Sequence, residues 1–360
     1  MKTTNILTHG ITLVLVAGLF LSGCKKEVND FQPVPEAEQG GSILKATATG
    51  KIMSYNVNGD YRTGLICNLT NTVTLKVNVY TLGYYNIISN SANGIQFSKS
   101  GEFKLKGLQD VILYGNGIPL VIGSNTFTVS FGGIGCTYKV VTVSNTPIIQ
   151  TSCNTSYTYM QVANHKTEKV WLDRNLGAAR VAISAIDFQG YGSLFQWGRL
   201  NDGHQCITWS NAYTGVGLNG ATTTASSTNT PGHSMYIKGM HPASDWRVPQ
   251  NNLLWQGAAG PNNPCPTGYR IPTATEMNGE IASWNTKNTA GGYASSLKWA
   301  VAGYREFYDG SVYDAGTSGG VWTSTVANTS KSMILWVSTN EAFTLDDFRA
   351  EGYSVRCIKN

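Results

Sequence analysis

The feature that most limits how this chain can fold is a cysteine between two prolines, followed by a turn and the start of a helix. Cys265 lies between Pro264 and Pro266, which hold its backbone extended, a conformation that suits one end of a disulfide. Thr273 matches a helix N-cap, and Glu276 completes the capping-box pattern. The segment predicts a cross-linked turn leading into a capped helix, which is a framework and not a catalytic device.

The residues after this turn continue the same prediction. Met277, Ile281 and Trp284 recur at i, i+4 and i+7, so the helix has one apolar face. Residues 299–305 and 332–338 have patterns typical of strands. We therefore expect short helices among irregular strands in this half of the chain.

Composition narrows the class of protein. The 360 residues suffice for two domains with cores of their own. Only 13% of the residues are charged and 41% are hydrophobic, which is too apolar for a disordered chain and is typical of β-rich extracellular modules. The net charge is +5, and the basic residues are scattered, so we expect no nucleic-acid partner.

The N-terminus has the features of a processed export signal. Residues 11–21 form an apolar run that is too short to span a bilayer. Leu21-Ser22-Gly23-Cys24 follows and resembles the lipobox of bacterial lipoproteins. The resemblance implies a signal peptide over residues 1–23 and acylation of Cys24, which would anchor the protein to a membrane. An ordinary secretory signal with an incidental cysteine is the alternative.

A flexible tether is expected after the anchor. Residues 24–44 are rich in charged residues, proline and glycine. Lys25-Lys26-Glu27 is similar to the export tethers of some Gram-negative surface lipoproteins. We therefore expect a protein that is anchored to the outer membrane and exposed at the cell surface.

Residues 45–146 predict an all-β domain. Apolar and polar residues alternate over 72–79, 103–106 and 138–143, and glycine and asparagine separate the runs. Short strands at regular intervals favour an immunoglobulin-like β-sandwich. By analogy with β-modules of bacterial surface proteins, we expect it to serve as a spacer.

Residues 153–360 carry a series of motifs in a fixed order. They are VWLDRNLG at 170–177, YGSLFQWGR at 191–199, CPTGYRIPT at 265–273, AGYR at 302–305, VWTST at 321–325 and SVRCIK at 354–359. This series resembles the Fibrobacter succinogenes major paralogous domain family. The resemblance implies an α+β, C-type-lectin-like domain, distantly akin to the formylglycine-generating-enzyme fold, in a bacterial surface protein with no assigned reaction.

Six cysteines besides Cys24 predict disulfides, because an even number in an exported chain favours them. Their number alone allows 15 connectivities. We favour Cys67–Cys136 within the first domain and Cys265–Cys357 within the second, which leaves Cys153–Cys206.

A polar excursion over residues 201–261 interrupts the second domain. A segment this long without strong apolar patterning is usually functional or disordered. Its aromatic residues are the candidates for ligand binding, because exposed rings could stack on sugars or apolar partners: Trp209, Tyr213, Trp246 and Trp255. The alternative is that these rings anchor the excursion to the body of the domain.

Metal-binding residue types are present, but their spacing matches no recognised site. The zinc candidates are His204, Cys206, His233 and His241, and the calcium candidates are residues 340–341 and 346–347. We expect no metal and no cofactor, with calcium left open. Asp173 and Arg174 are expected to have framework roles, as are Arg270, Arg305 and Arg356.

The sequence thus predicts a lipid-anchored surface protein that binds or adheres to a glycan, an extracellular polymer or a surface protein, and that is not an enzyme. One alternative is an enzyme of the formylglycine-generating type, which would need a reactive thiol at Cys265 or Cys357. Another is a structural subunit of a surface assembly.

Overall fold

A computed structural model describes residues 46–239 and 244–360 of the chain. The described part consists mostly of β-strands in several sheets, with two short α-helices, so the β-rich class is confirmed. The predicted signal peptide 1–23, the acylation site Cys24 and the whole predicted tether 24–44 lie outside the described residues. Within the described ranges, no helix has the length and apolarity that crossing a membrane requires.

The first part of the chain forms two sheets. Their strands are β1 (Thr49–Asn58), β2 (Tyr61–Arg62), β3 (Thr72–Thr81), β4 (Gly83–Ile88), β5 (Ile95–Phe103), β6 (Gly107–Gly117), β7 (Gly123–Phe131) and β8 (Ile134–Val143). One sheet has the order β1-β3-β6-β5-β4 and is antiparallel. The other has the order β2-β8-β7, with β2 parallel to β8.

A single core joins these two sheets. Strand β3 buries every second residue, as its alternating sequence predicts. The ring of Phe97 on β5 packs edge-to-face on Phe127 of β7 at 5.1 Å and on Tyr138 of β8 at 5.8 Å. Because rings from both sheets meet in this way, the sheets lie face to face.

The strand predicted over residues 103–106 is wrong. Strand β5 ends at Phe103, and the following residues connect it to β6. Leu105 is 71% exposed. The alternation of Leu105 with the lysines on either side therefore does not correspond to a buried face of a strand.

The predicted Cys67–Cys136 disulfide is also wrong, because Cys67 carries a free thiol. The backbone N–H of Cys67 donates to Gly117 at the end of β6 (2.9 Å). Strand β2, which leads towards Cys67, pairs with β8 at Thr142, and Cys136 is six residues further back along β8. That separation is roughly 20 Å of strand, whereas bridged Cα atoms lie within about 7 Å. Cys136 is not a free thiol.

The second part contains many short strands and two helices. They are β9 (Ile148–Ser152), β10 (Thr155–Tyr159), β11 (Gln161–Asn164), β12 (Lys169–Leu172), β13 (Phe195–Gln196), β14 (Ile207–Asn211), β15 (Thr214–Gly217), β16 (Ala221–Thr222), β17 (Tyr236–Ile237), β18 (Tyr269–Arg270), α1 (Ala274–Ser283), α2 (Thr289–Ala294), β19 (Tyr304–Arg305), β20 (Val312–Tyr313), β21 (Ser318–Val326), β22 (Lys331–Ser338), β23 (Ala342–Phe348), β24 (Gly352–Tyr353) and β25 (Ile358–Lys359). A 3₁₀ turn covers Phe188–Gly190.

Three sheets organise these elements. Their orders are β11-β12-β25-β18, β13-β24-β19-β20 and β21-β22-β23. Strand β22 matches the strand predicted over residues 332–338, while only Tyr304–Arg305 of the predicted strand 299–305 is extended and paired. The hairpins β9-β10 and β14-β15 and the parallel pair β16-β17 complete the arrangement.

The two ends of the second part meet at β25. Ile358 pairs with Trp171 of β12 on one side and with Arg270 of β18 on the other. Next to this strand, Cys357 is bonded to Cys265, with 5.9 Å between their Cα atoms. A second disulfide joins Cys153 to Cys206. The last strand is therefore held both by hydrogen bonds and by a covalent cross-link.

Helix α1 begins as its sequence predicts. Thr273 and Glu276 form the full capping box. Arg270 donates two hydrogen bonds to the Glu276 carboxylate, at 2.8 and 2.7 Å. On the other side of the helix, Met277 and Ile281 are buried. This arrangement confirms the predicted cross-linked turn and the capped helix that follows it.

Arg62 and His165 connect the two parts of the chain. Arg62 donates to the backbone oxygen of Gln161 (2.8 Å). His165 accepts from the N–H of Val141 through Nδ1 (3.1 Å), and its Nε2 lies 3.1 Å from the oxygen of Gly59. Nε2 must carry the proton to donate there, so both bonds require the neutral ring.

Candidate functional site

The excursion over residues 201–261 does not form the predicted aromatic binding face. Trp246 and Trp255 are fully buried. The indole N–H of Trp246 donates to the oxygen of Trp197 (2.7 Å), and that of Trp255 donates to Asn262 (2.9 Å). A buried indole is stable where its N–H finds an acceptor. These two rings anchor the excursion to the body of the domain.

The other two predicted aromatics differ from each other. Trp209 is half-buried, donates to the oxygen of Gly192 (2.7 Å) and packs edge-to-face on Tyr191 at 5.0 Å. Tyr213, between β14 and β15, is 63% exposed. Only one of the four predicted residues therefore presents a free ring to solvent, which is too little for a stacking platform.

A different set of aromatic residues lies at the surface, on β19, β20, β22 and β23. Its centre is Tyr304, whose ring stacks on Tyr313 with 6.1 Å between centroids and lies 6.2 Å from the ring of Trp336. Trp336 pairs across the sheet with Phe343. Directly opposite residues in a sheet project to the same face, so the rings form one continuous row.

Carboxylates border this row. Asp309 accepts a hydrogen bond from the Tyr313 hydroxyl (2.8 Å), and Asp347 accepts one from the Tyr353 hydroxyl (2.5 Å). We call the whole set the aromatic–carboxylate surface. It consists of Tyr304, Tyr308, Tyr313, Trp336, Phe343, Asp309 and Asp347, with Glu306 and Glu351 buried next to it.

The rings are accessible to solvent although they pack on one another. Tyr313 is 39% exposed, Phe343 41% and Tyr308 49%, while Tyr304 and Trp336 are half-buried. A partly exposed ring that is fixed by its neighbours loses little side-chain entropy when a ligand binds. The row therefore has the properties of a preorganised stacking surface.

A glycine supports this arrangement from below. A Cβ at Gly320 of β21 would collide with the ring of Tyr353. The missing side chain lets Tyr353 lie flat against the strand, where its ring is 5.9 Å from Tyr304 and 5.1 Å from Trp322. From this position, the Tyr353 hydroxyl reaches Asp347.

Glu351 has the most unusual electrostatic environment of the set. It is 4% exposed, and its Oε2 has no hydrogen-bond partner. Burial, followed by the charges of Glu306 and Asp347, raises the pKa of Glu351 to about 10. Burial and the nearby acids Asp314, Glu306 and Glu351 raise the pKa of Tyr304 to about 12. The region is therefore rich in negative charge, and Glu351 is protonated at neutral pH.

The nearest basic residues do not balance this charge. Arg305 points away, donating to Gly310 (2.7 Å) and His204 (2.9 Å) and stacking on Tyr236 at 4.0 Å. Lys331 lies 3.5 Å from Asp346. Within residues 46–239 and 244–360, no lysine or arginine forms an ion pair with the carboxylate of Glu306, Asp347 or Glu351.

The residues considered as zinc candidates have other contacts. His204 is fully buried, accepts from the N–H of Gln196 through Nε2 (3.0 Å) and contacts Asp202 through Nδ1 (2.7 Å). Cys206 is in a disulfide. Burial lowers the pKa of His204 to about 3. His241 lies outside the described residues, and within them no three acidic, histidine or cysteine side chains are grouped to hold a metal.

The calcium candidates form turns and ion pairs instead of a cation site. The N–H groups of Asn340 and Glu341 donate to Ser338 Oγ in the connection between β22 and β23. Asp346 faces Lys331, and Asp347 faces Tyr353. These oxygen atoms do not converge on one point.

The residues predicted as framework do have structural contacts. Asp173 and Arg174 form an ion pair at 3.7 Å, and Arg174 also lies over the ring of Tyr159. Arg356 is fully buried, donating to Asn175 (3.0 Å). These side chains hold loops together and are not available to a ligand.

A cleft of about 700 Å³ at the junction of the two parts is the second place where a ligand could bind. Leu65 and Ile66 lie at its edge, and asparagine and serine side chains line much of its wall. Its inner polar groups are already paired: Asn164 donates to Glu280 (2.6 Å) and Ser283 (2.8 Å). The Asn164 side chain in this cleft is therefore already engaged by other parts of the protein.

Comparison of the chain with models of protein families, with curated proteins and with solved structures finds no match. The assignment of a function therefore depends on the geometry and electrostatics of the chain itself.

Sequence reasoning did not identify the aromatic–carboxylate surface, although one signal for it was present. Trp336 lies in the predicted strand 332–338, and Phe343 follows after a short polar turn. An aromatic residue on each arm of a hairpin indicates a shared face when the register is known. The register, and the approach of Tyr304 and Tyr313 from a separate sheet, follow only from the tertiary structure.

Proposed function

We propose that the protein is a binding protein of the cell surface, anchored through acylated Cys24, that attaches to an extracellular glycan through its aromatic–carboxylate surface. The observation that carries the proposal is the row of accessible rings, bordered by carboxylates, that two neighbouring sheets form together. The non-polar faces of sugar rings stack on aromatic side chains, and their hydroxyl groups donate hydrogen bonds to carboxylates. Both features lie side by side on this surface.

We infer an immunoglobulin-like spacer for the first part and a lectin-like domain of the Fibrobacter succinogenes type for the second. Two sheets with one core support the first inference. The closing strand β25 between β12 and β18, cross-linked through Cys357, supports the second. A spacer would separate the binding surface from the membrane.

Export from the cytoplasm is supported by the disulfides. Cys153–Cys206 and Cys265–Cys357 both form, and such bonds persist in oxidising compartments. The alternative of a thiol-dependent enzyme requires a free thiol at Cys265 or Cys357, and these two atoms are bonded to each other. We therefore favour binding over that chemistry.

A glycan array with the whole protein tests the proposal. We expect a group of related glycans to bind, and Trp336→Ala to weaken that binding roughly tenfold, because one stacked ring contributes about 1–1.5 kcal/mol. The matched control is Tyr80→Ala, which removes a 50% exposed ring from β3 of the first part. Equal losses in the two variants, or no binding to any glycan, would show that the surface is not a glycan site.

A further inference from the structure

We propose that one end of the first part docks on the surface of an anionic lipid bilayer, the same bilayer that carries the anchor. The inference rests on the proposed function, because it takes Cys24 as the acylated residue. It adds a second interaction surface, separate from the aromatic–carboxylate surface, and it determines which way the molecule stands on the membrane.

The register of the strands brings several strand ends together at this end of the first part. Strands β1, β4 and β6 start here, and β3 and β5 end here, as the pairs Thr49–Thr81 and Gly83–Phe103 show. We call this region the basic end. It consists of residues 46–52, 78–84 and 102–108.

Large apolar side chains are exposed at the basic end. Leu105 and Leu108 are 71% and 63% exposed, and Tyr80 and Leu82 are also accessible. Leu108 pairs with Asn78 across β6 and β3, so it projects to the same outer face as Tyr80, two residues further along β3. An exposed apolar patch of this kind marks contact with a partner or with a membrane.

Positive charge accompanies these apolar residues. The lysines of the basic end are Lys51, Lys104 and Lys106, and its one acid is Glu102. Lys104 and Lys106 flank Leu105 in the turn between β5 and β6, and all three side chains are exposed. Apolar groups enter the interface of a bilayer while neighbouring ammonium groups reach its anionic headgroups. The composition of the basic end therefore fits an anionic lipid surface better than a neutral one.

The opposite end of the same strands differs in charge. Residues 58–72 and 117–123 also expose aliphatic side chains. Their charged residues are Asp60 and Arg62, which pair with each other at 3.0 Å. Arg62 also donates to the oxygen of Gln161, so the second part of the chain attaches at this end. Within the first part, the basic end is therefore the one that complements an anionic surface.

The described chain enters the first part at the basic end. The N–H of Tyr84 in the edge strand β4 donates to the oxygen of Ala46 (2.9 Å), which fixes this entry point against the sheet. Residues 25–45 separate Cys24 from Ala46, and a segment of that length spans at most about 75 Å. Such a tether holds the basic end near the bilayer at an effective concentration on the order of millimolar, so a weak contact is occupied.

Docking through the basic end directs the second part away from the membrane. Strand β1 has ten residues and runs from the basic end towards Gly59, and Nε2 of His165 in the second part lies 3.1 Å from the oxygen of Gly59. A strand of that length is about 33 Å long. The first part would then act as a spacer that stands upright on the bilayer.

Hydrogen–deuterium exchange of the acylated protein in vesicles tests the docking. One set of vesicles is pure phosphatidylcholine, and the other is an equal mixture of phosphatidylcholine and phosphatidylglycerol. We expect the amides of residues 104–106 to exchange at least threefold more slowly in the anionic vesicles, and high salt to remove the difference. Residues 118–122 should exchange equally in both. Slowed exchange at residues 118–122 instead, or equal exchange of residues 104–106 in both sets, would overturn the proposal.

A pair of leucine variants tests the contact itself. Leu105→Ser removes an exposed apolar side chain from the basic end, and we expect the ratio of exchange rates between the two sets of vesicles to fall towards one. Leu120→Ser is the matched control, because Leu120 is 68% exposed at the opposite end, and its ratio should equal that of the wild type. Equal ratios in the two variants would overturn the assignment of the contact to the basic end.

The same samples separate failure of the docking from failure of the anchor. The mass of the protein shows whether Cys24 is acylated, and an unmodified Cys24 would refute both the anchor and the docking that depends on it. Acylated protein without slowed exchange at the basic end would refute the docking alone. Slowed exchange that grows with the number of protein molecules per vesicle, on both lipids, would assign the basic end to a second copy of the chain.

Discussion

At the scale of single residues, Glu351 places a carboxyl group at a buried position where it lowers the stability of the fold. Glu351 is buried among acids and has an unpartnered oxygen. Its pKa in the folded protein is raised to about 10, far above the usual value of about 4.3 in an unfolded chain. The folded state therefore binds a proton that the unfolded state has lost, and the stability of the fold decreases as pH rises from about 4 to about 10.

Glu351→Gln should make the protein more stable at alkaline pH. The amide keeps the shape of the protonated acid and removes the cost of holding its proton. We expect the free energy of unfolding to rise by on the order of 2 kcal/mol at pH 8, with little change at pH 4. Chemical denaturation at the two pH values measures this. A variant that is less stable than the wild type at pH 8 would mean that the carboxyl group stabilises the fold.

At the scale of elements, the excursion over residues 201–261 contributes a few large side chains to the core, while many of its other described residues are exposed. Tyr236, Ile237, Trp246 and Trp255 are all fully buried. The hydroxyl of Tyr236 donates to the oxygen of Arg305 (2.8 Å), on a strand far away in sequence. A few large buried side chains are enough to hold this segment against the domain, so the rest of its residues can be polar.

Trp246→Ala should therefore affect folding and not ligand binding. Removal of this buried ring leaves a cavity and an unpaired oxygen at Trp197, and we expect a loss of about 3–5 kcal/mol of stability. Thermal denaturation measures the loss, and a glycan-binding assay on the fraction that remains folded should give the wild-type affinity. Weakened binding by that fraction at unchanged stability would restore the excursion as a ligand face.

The sequence predicted correctly those elements that depend only on residues close to one another in the chain. The alternation of β3 and the capping box at Thr273 each depend on neighbouring residues, and both occur in the structure. The Cys67–Cys136 prediction failed because it depended on which ends of distant strands meet. Tertiary contacts likewise decided that Trp246 is buried and Trp336 accessible, because an indole ring is compatible with either environment.

At the scale of the whole molecule, a neutral histidine links the two parts of the chain. His165 accepts from Val141, and its other ring nitrogen faces the oxygen of Gly59. Burial lowers the pKa of His165 below its ordinary value of 6.5. The lowered pKa means that the folded form resists protonation, so this contribution to stability is present above about pH 6.5 and decreases as pH falls below it.

Acidification should therefore weaken the junction. Because burial lowers the pKa of His165 in the folded protein, protonation of the unfolded chain below about pH 6.5 favours unfolding, and the free energy of unfolding should decrease between pH 7 and pH 5. His204 is also buried with a lowered pKa and contributes in the same direction. Denaturation midpoints measured from pH 7 to pH 5 in the wild type and in His165→Gln separate the contributions of the two histidines. The stability of the variant should decrease only by the contribution of His204. Parallel pH profiles would show that His165 does not titrate with folding.

A ligand could bind at the aromatic–carboxylate surface or in the junction cleft. Hydrogen–deuterium exchange of the whole protein, measured with and without the glycan that binds most tightly on the array, distinguishes these two regions most directly. Binding at the aromatic–carboxylate surface should slow the exchange of backbone amides in β22, in β23 and in residues 304–313. Slowed exchange confined to residues 56–71 and 283–298, which line the junction cleft, would contradict the assignment of the ligand to this surface.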